Sequence, residues 1–210
     1  MSAVRTLARD VLEVDLDMLD PPVLAFEAGQ WISVPFGPKP VRAYSIASSP
    51  RSPARLTLCA DVAPGGLGSR WFRGLSPGDE VRFKGPLGGF VLPPDETRAP
   101  LFVAEEIGIV PVRALLGELA AGRAATLVYG APDDRRPYDA ELRERARRDG
   151  GFAYHPVSGG ELTAAVETLA PRAGDRVAYV VGGEATIKRV RALLMAQGLD
   201  RKAIRWERFW

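Results

Sequence analysis

From Val4 to Met18 apolar and charged residues alternate. Leu12, Val14, Leu16 and Met18 fall on one face and Glu13, Asp15 and Asp17 on the other, which predicts one long strand over residues 4–18. Asp20-Pro21-Pro22 reads as a turn. Further short strands are predicted around Trp31–Val34, in the Arg42–Ser48 segment and over Leu56–Ala60, and another follows the turn at Ser76-Pro77-Gly78. Short strands punctuated by Gly and Pro at this spacing suggest a small antiparallel barrel. After a linker at Pro93–Pro100 the pattern changes. Leu101-Phe102-Val103-Ala104 is an uninterrupted apolar run, as in a buried parallel strand. Helical spacing then follows over Val110–Ala121, Tyr138–Arg148, Leu162–Leu169 and Ile187–Gln197, with strands over Ala125–Tyr129, Phe152–Val157, Val177–Val181 and Ile204–Phe209. This alternation predicts a doubly wound parallel α/β sheet. The fold class is therefore a two-domain α+β chain, with an antiparallel barrel over 1–97 and the α/β domain over 98–210.

Composition narrows the function classes. A net charge of +2 gives no electrostatic footprint for nucleic acid. One cysteine, Cys59, and one histidine, His155, leave no residues for an intrachain disulfide, a Cys-built cluster or a His-rich metal site. Both fit structural roles, Cys59 as a buried mid-strand thiol. No apolar run reaches the ~18 residues of a membrane span, and Met1–Asp10 lacks the apolar core of a signal peptide. These features place the chain in the cytoplasm.

The chemistry-bearing stretch is Arg42-Ala43-Tyr44-Ser45-Ile46-Ala47-Ser48. On a strand, Arg42 and Tyr44 share a face and Ser45 lies on the other. A guanidinium fork suits phosphate, and a flat ring and a hydroxyl stand beside it. About twenty residues on, Gly65-Gly66-Leu67-Gly68-Ser69 runs into a short apolar-faced segment of one or two helical turns. Glycines there let backbone amides approach a phosphate at a helix start.

Arg42-x-Tyr44-Ser45-x-x-Ser48 resembles the flavin-binding motif of the ferredoxin–NADP reductase family. Phe26-x-x-Gly29-Gln30 before a strand, the Gly66–Ser69 loop and Gly85-Pro86-x-Gly88-x-Phe90 are similar to family features in the same order. The resemblance implies a Greek-key FAD-binding barrel followed by an NAD(P)-binding domain. It assigns Arg42 to the FAD pyrophosphate, Tyr44 to the isoalloxazine face, Ser45 to the flavin's redox edge, and Gly66, Leu67, Gly68 and Ser69 to the phosphate loop. A terminal aromatic covering the ring is a family feature that Trp210 matches; the alternative is a frayed terminus. Ser45 and Trp210 are thus the residues implied to lie nearest the redox chemistry. Gly108, Pro111 and Gly183 would shape the NAD(P)H site, and no metal is expected. The implied activity is electron transfer between NAD(P)H and a ferredoxin-like protein or small-molecule acceptor through FAD.

The second half departs from the family. Where a Gly-Gly-Thr-Gly-type turn is usual, the chain has Glu105-Glu106-Ile107-Gly108. Two carboxylates add bulk and charge near a pyrophosphate. One like-charge contact at ~4 Å costs up to about 4 kcal/mol at an effective dielectric of 20, unless the glutamates swing aside or pair with Arg113. Gly182-Gly183-Glu184 replaces the usual Cys-Gly-Pro, as in some relatives that reduce iron-siderophores, and Gly159 stands where NADP-using members place an arginine. Arg135 and Arg136 could reach a 2′-phosphate from another loop, or are solvated surface residues. These departures motivate an alternative: a flavin-bearing electron-transfer module with a degenerate nucleotide site, reduced by a partner protein.

Overall fold

The computed structural model describes residues 1–169 and 175–209. The chain clusters into two compact units, Met1–Leu92 with Arg113–Glu118, and Pro93–Val112 with Leu119–Trp210.

In the first unit, strands β1 (Ala3–Ala8), β2 (Val11–Asp17) and β5 (Arg55–Asp61) form one antiparallel sheet in the order β1-β2-β5. β3 (Trp31–Pro35), β4 (Val41–Ser45) and β6 (Lys84–Leu87) form a second, in the order β4-β3-β6. The single strand expected over 4–18 is a hairpin. The chain reverses at Arg9-Asp10, where Asp10 takes a left-handed φ of 57°, and Ala8 pairs with Val11. The alternation continues through the reversal, so periodicity does not reveal it. The strand expected after Ser76-Pro77-Gly78 starts only at Lys84 and carries Gly85-Pro86 itself. An Ile46–Leu58 bridge and the Ala47 N–H donated to Thr57 O join the two sheets. Val14, Leu16, Ile32, Val34, Ile46, Leu56 and Leu58 fill the space between them, with Phe72 of helix α1 (Leu67–Gly74).

The charged face of β2 is not solvated. Glu13 and Asp15 are only 5% and 6% exposed, because Arg5 from β1 lies across them at 2.7 Å from each. Thr57 also donates to Asp15, at 2.8 Å. Burial pushes the Asp15 carboxyl up, but the hydrogen bonds from Arg5 and Thr57 outweigh it and hold it below the usual range.

In the second unit, β7 (Ala99–Glu105), β8 (Ala125–Gly130), β9 (Phe152–Val157), β10 (Arg176–Gly182) and β11 (Ile204–Arg208) form a parallel sheet in the order β11-β10-β7-β8-β9. Its helices are α3 (Asp139–Arg148), α4 (Leu162–Leu169) and α5 (Glu184–Ala196), with residues 109–112 of α2 (Ile109–Glu118). Ile187, Val190 and Leu194 of α5, at helical spacing, pack with Leu162 and Val166 of α4 on Leu101, Val103, Val128, Ala178 and Val180. α3 is polar. Asp139 and Glu141 at its start and Arg145, Arg147 and Arg148 at its end oppose the helix dipole. β9 and β11 are the sheet's edges. No helix of the described residues is long and apolar enough to cross a membrane.

The chain runs from β7 through β8 to β9 on one side and then crosses to β10 and β11 on the other. The order therefore reverses between β7 and β10. In open α/β sheets the crevice beyond the carboxyl ends of the strands at such a reversal is where ligands bind.

Candidate functional site

In the first unit β4 carries Arg42, Tyr44 and Ser45. Arg42 is exposed, with one donor on the Val41 carbonyl at 2.8 Å, while Ser45 is buried at 5% exposure opposite Trp31. Helix α1 begins at Gly66, which is extended and offers no side-chain cap. A Cβ at Gly68 would stand 2.7 Å from the Tyr44 hydroxyl and 3.4 Å from Arg42 Cγ. Only glycine lets the first turn of α1 approach both, so the fold brings Arg42, Tyr44 and Gly68 together. Ser69 is buried in that turn and Leu67 half-buried.

The Tyr44 ring lies 5.5 Å from both Trp71 and Phe72, and Trp71 meets Phe36 edge-on at 5.3 Å. Sequence reasoning passed over Trp71 and Phe72. Their signal was the apolar pair directly after the Gly-rich loop. The Tyr44 hydroxyl is buried and has no hydrogen-bond partner among the described residues. Burial pushes the phenol up to about 12, against a weaker pull from Arg42, so it remains a donor at neutral pH.

The second unit holds Gly108, Pro111 and Gly183. A Cβ on Gly108 would lie 2.9 Å from the Val181 carbonyl oxygen, so the turn after β7 packs on the end of β10. Pro111 is buried in the first turn of α2, and Gly183 caps α5. Glu106 keeps a left-handed φ of 48°, a conformation suited to the glycine that the resemblance leads one to expect there. Glu105 turns across the crevice. Its Oε2 accepts the Gly183 N–H at 2.8 Å and its Oε1 accepts the Thr186 hydroxyl at 2.7 Å. Thr186 also escaped the sequence reasoning; a hydroxyl three residues beyond Gly183 was the available signal. Arg113 Nη1 donates to the Ala47 carbonyl at 2.8 Å.

Arg136 is not the solvated arginine expected. It is 8% exposed, donates to the Ala131 and Val157 carbonyls at 2.6 and 2.9 Å, and pairs with Asp133 at 2.8 Å. Cys59 is buried, as expected. Trp210 lies outside the described residues.

Comparison with known proteins gives two family matches. The oxidoreductase FAD-binding domain matches residues 1–92, and the siderophore-interacting protein family matches residues 97–210. Among curated proteins, ferredoxin–NADP reductase B of Sorangium cellulosum is 37% identical over 159 residues, covering 72% of this chain and 65% of the relative. The reductase component 1 of terephthalate 1,2-dioxygenase from a Comamonas species is 28% identical, covering 83% of this chain and 56% of the relative. The chain thus spans less than two thirds of the length of these relatives. Among solved structures, the Amycolatopsis cytochrome P450 reductase GcoB superposes with a TM-score of 0.90 at 26% identity, over 99% of this chain and 68% of that one. The ferredoxin–NADP+ reductase of Plasmodium falciparum shares the fold, with a TM-score of 0.85 at 19% identity over 99% and 94% of the two chains. An FAD-binding half joined to a siderophore-interacting-protein half, on a fold common to these reductases, means that the chain belongs to the ferredoxin–NADP reductase-like flavoprotein family.

Proposed function

We propose that this protein is an FAD-dependent oxidoreductase that passes electrons between NAD(P)H and an acceptor, either a ferredoxin-like protein or a small molecule. The observation that carries the flavin half of this proposal is the partnerless Tyr44 hydroxyl beside Gly68. An unsatisfied buried donor costs about 1–3 kcal/mol, and it lies beside the first turn of α1, whose amides have no side-chain cap at Gly66. An oxygen-rich, phosphate-bearing ligand would complete both, so the residues present fit FAD. Arg42 would hold the pyrophosphate, Gly66, Leu67, Gly68 and Ser69 would give it backbone and hydroxyl donors, and Tyr44 and Ser45 would orient the flavin. Bound FAD supplies the redox chemistry, taking a hydride and releasing electrons singly or in pairs. The chain's own part is to bind and orient, and hydride transfer needs no general acid or base from it. Trp210 would cover the ring. Gly108, Pro111 and Gly183 would shape the nucleotide site, and a cytoplasmic location, where nicotinamide nucleotides are available, goes with this function.

The relatives named as reductase components of oxygenase systems support a protein acceptor. A second reading, a module reduced by a partner rather than by nucleotide, is favoured by one observation: the Glu105 carboxylate already lies across the β7–β10 crevice. The test is to load the protein with FAD, release the cofactor with acid for chromatography, and mix the loaded protein anaerobically with NADH and NADPH. Stoichiometric FAD and bleaching of its visible absorbance are expected. Failure to take up FAD overturns the proposal. FAD uptake without reduction by either nucleotide selects the second reading.

A further inference from the structure

The crevice where the sheet order reverses is bridged by the protein itself. Glu105 ends β7, Gly183 follows β10, and Thr186 lies in the first turn of α5. The Glu105 carboxylate binds the Gly183 N–H and the Thr186 hydroxyl at 2.8 and 2.7 Å, as a bound anion would at the positive end of a helix. The approach is close. A Cβ on Gly182 would sit 2.7 Å from both Cβ and Oε2 of Glu105. The Glu105 side chain therefore neither hangs over the turn after β7 as an unpaired repelling charge nor swings away into solvent. It bridges the ends of β7 and β10.

We infer that Glu105 is a specificity determinant that weakens the hold of this crevice on nicotinamide dinucleotides, its carboxylate standing in for the ligand anion. The inference rests on the flavoprotein proposal and concerns only how its nucleotide site is tuned. A dinucleotide entering between β7 and β10 must break two charge-assisted hydrogen bonds and leave a carboxylate beside its own phosphates. Glu106 is a lesser obstacle, because its backbone already follows the left-handed path of a glycine turn.

The test uses FAD-loaded full chain and reads binding directly, by calorimetric titration with NAD+, NADP+ and inorganic pyrophosphate. Wild type, Glu105→Gly and Thr186→Val are compared. Glu105→Gly is expected to bind at least one of the two dinucleotides more tightly than wild type by about tenfold or more, the equivalent of one charge-assisted hydrogen bond that need no longer be broken. Thr186→Val removes one of the two bonds holding the carboxylate and is expected to give a smaller gain in the same direction. Unchanged or weaker dinucleotide binding in a folded Glu105→Gly protein overturns the inference, weaker binding marking Glu105 as a residue that positions the turn for its ligand. If Glu105→Gly does not fold, Thr186→Val decides, and no gain there overturns it. Tightening for pyrophosphate alone, with neither dinucleotide improved, also overturns it. FAD content, measured on the same samples, separates these outcomes from a failure of the flavoprotein proposal.

Discussion

Tyr44 carries a buried hydroxyl that no described protein group satisfies, and its removal should have opposite effects on the two forms of the protein. In Tyr44→Phe the FAD-free protein loses an unpaired polar group and should be as stable as wild type or more so, by up to about 1 kcal/mol. FAD affinity should fall by about 1 kcal/mol, or roughly fivefold, because the ligand loses a donor. Thermal unfolding without flavin and fluorescence titration with flavin check both arms. Lower stability of the flavin-free variant would mean that the hydroxyl is not an orphan. Glu106 presents the reverse case. A side chain in the left-handed region costs about 1–2 kcal/mol, offset in part by the greater freedom of glycine in the unfolded chain. Glu106→Gly should therefore stabilise the second unit by about 0.5–1 kcal/mol, seen as a higher urea midpoint at unchanged slope. Neither effect was legible in the sequence. Arg42 and Tyr44 were visible as a pair, but the approach of Gly68 to Tyr44 is tertiary. The two glutamates were visible as departures from a family turn, but the reach of Glu105 to Thr186 depends on β7 and β10 being neighbours.

At the scale of elements, the second unit was the more legible. α4 spans Leu162–Leu169 as its spacing predicts, and the helices and strands around it shift by a few residues at most. Uninterrupted apolar runs such as Leu101–Ala104 and helical stripes such as Ile187, Val190 and Leu194 encode burial directly. The first unit was harder, because a tight hairpin can preserve alternation, as it does through Arg9-Asp10. Charge misled in two places. Glu13 and Asp15 were read as the charged face of a strand with no sign of their burial, and Arg136 was left as a surface residue or a 2′-phosphate ligand. Sequence shows a charged group but not the partner that allows it to be buried. Arg136 ties the segment after β8 to the end of β9 through the Ala131 and Val157 carbonyls. Arg136→Ala should cost about 2–4 kcal/mol, the sum of two hydrogen bonds from a charged donor and the carbonyls left unpaired. The relative affinity for NADP+ and NAD+ should not change. A selective loss of NADP+ binding in a stable variant would restore the 2′-phosphate role.

For the molecule as a whole, acid is the informative perturbation. The Asp15 and Asp139 carboxyls are raised by burial but held below their usual range by the larger sum of their hydrogen bonds, from Arg5 and Thr57 and from Tyr154 and Arg143. A hydrogen bond from Arg98 brings Glu96 down to about 2. Carboxyls depressed in the folded state stabilise it above their unfolded values, near about pH 4. That contribution is lost as pH falls through the folded values. Stability should thus be flat on the acid side of neutrality and decline from about pH 4 toward about pH 2. Arg5→Leu should behave differently. At pH 7 it leaves two buried carboxylates without their cation, at a cost of about 2–3 kcal/mol, less than for a fully buried pair because Arg5 is 44% exposed. Without Arg5 the largest contribution that lowers the Asp15 value is lost while burial still raises it, so the folded value moves up and protonation relieves part of the cost. The gap to wild type should narrow on going from pH 7 to pH 4 in parallel chemical denaturations. A constant gap would assign the loss to packing.

The rims of the five-stranded sheet have a consequence of another kind. β9, at one rim, contains Pro156, which offers no N–H to an incoming strand. β11, at the other, ends in Trp206-Glu207-Arg208, with Arg205 before it, so charges of both signs line it. A parallel sheet that ended in bare backbone would be a template for the next copy of the chain. Here one rim lacks a donor at Pro156 and the other opposes stacking by charge, so neither rim of this sheet gives crowded molecules an unbroken seam along which to zip into fibres.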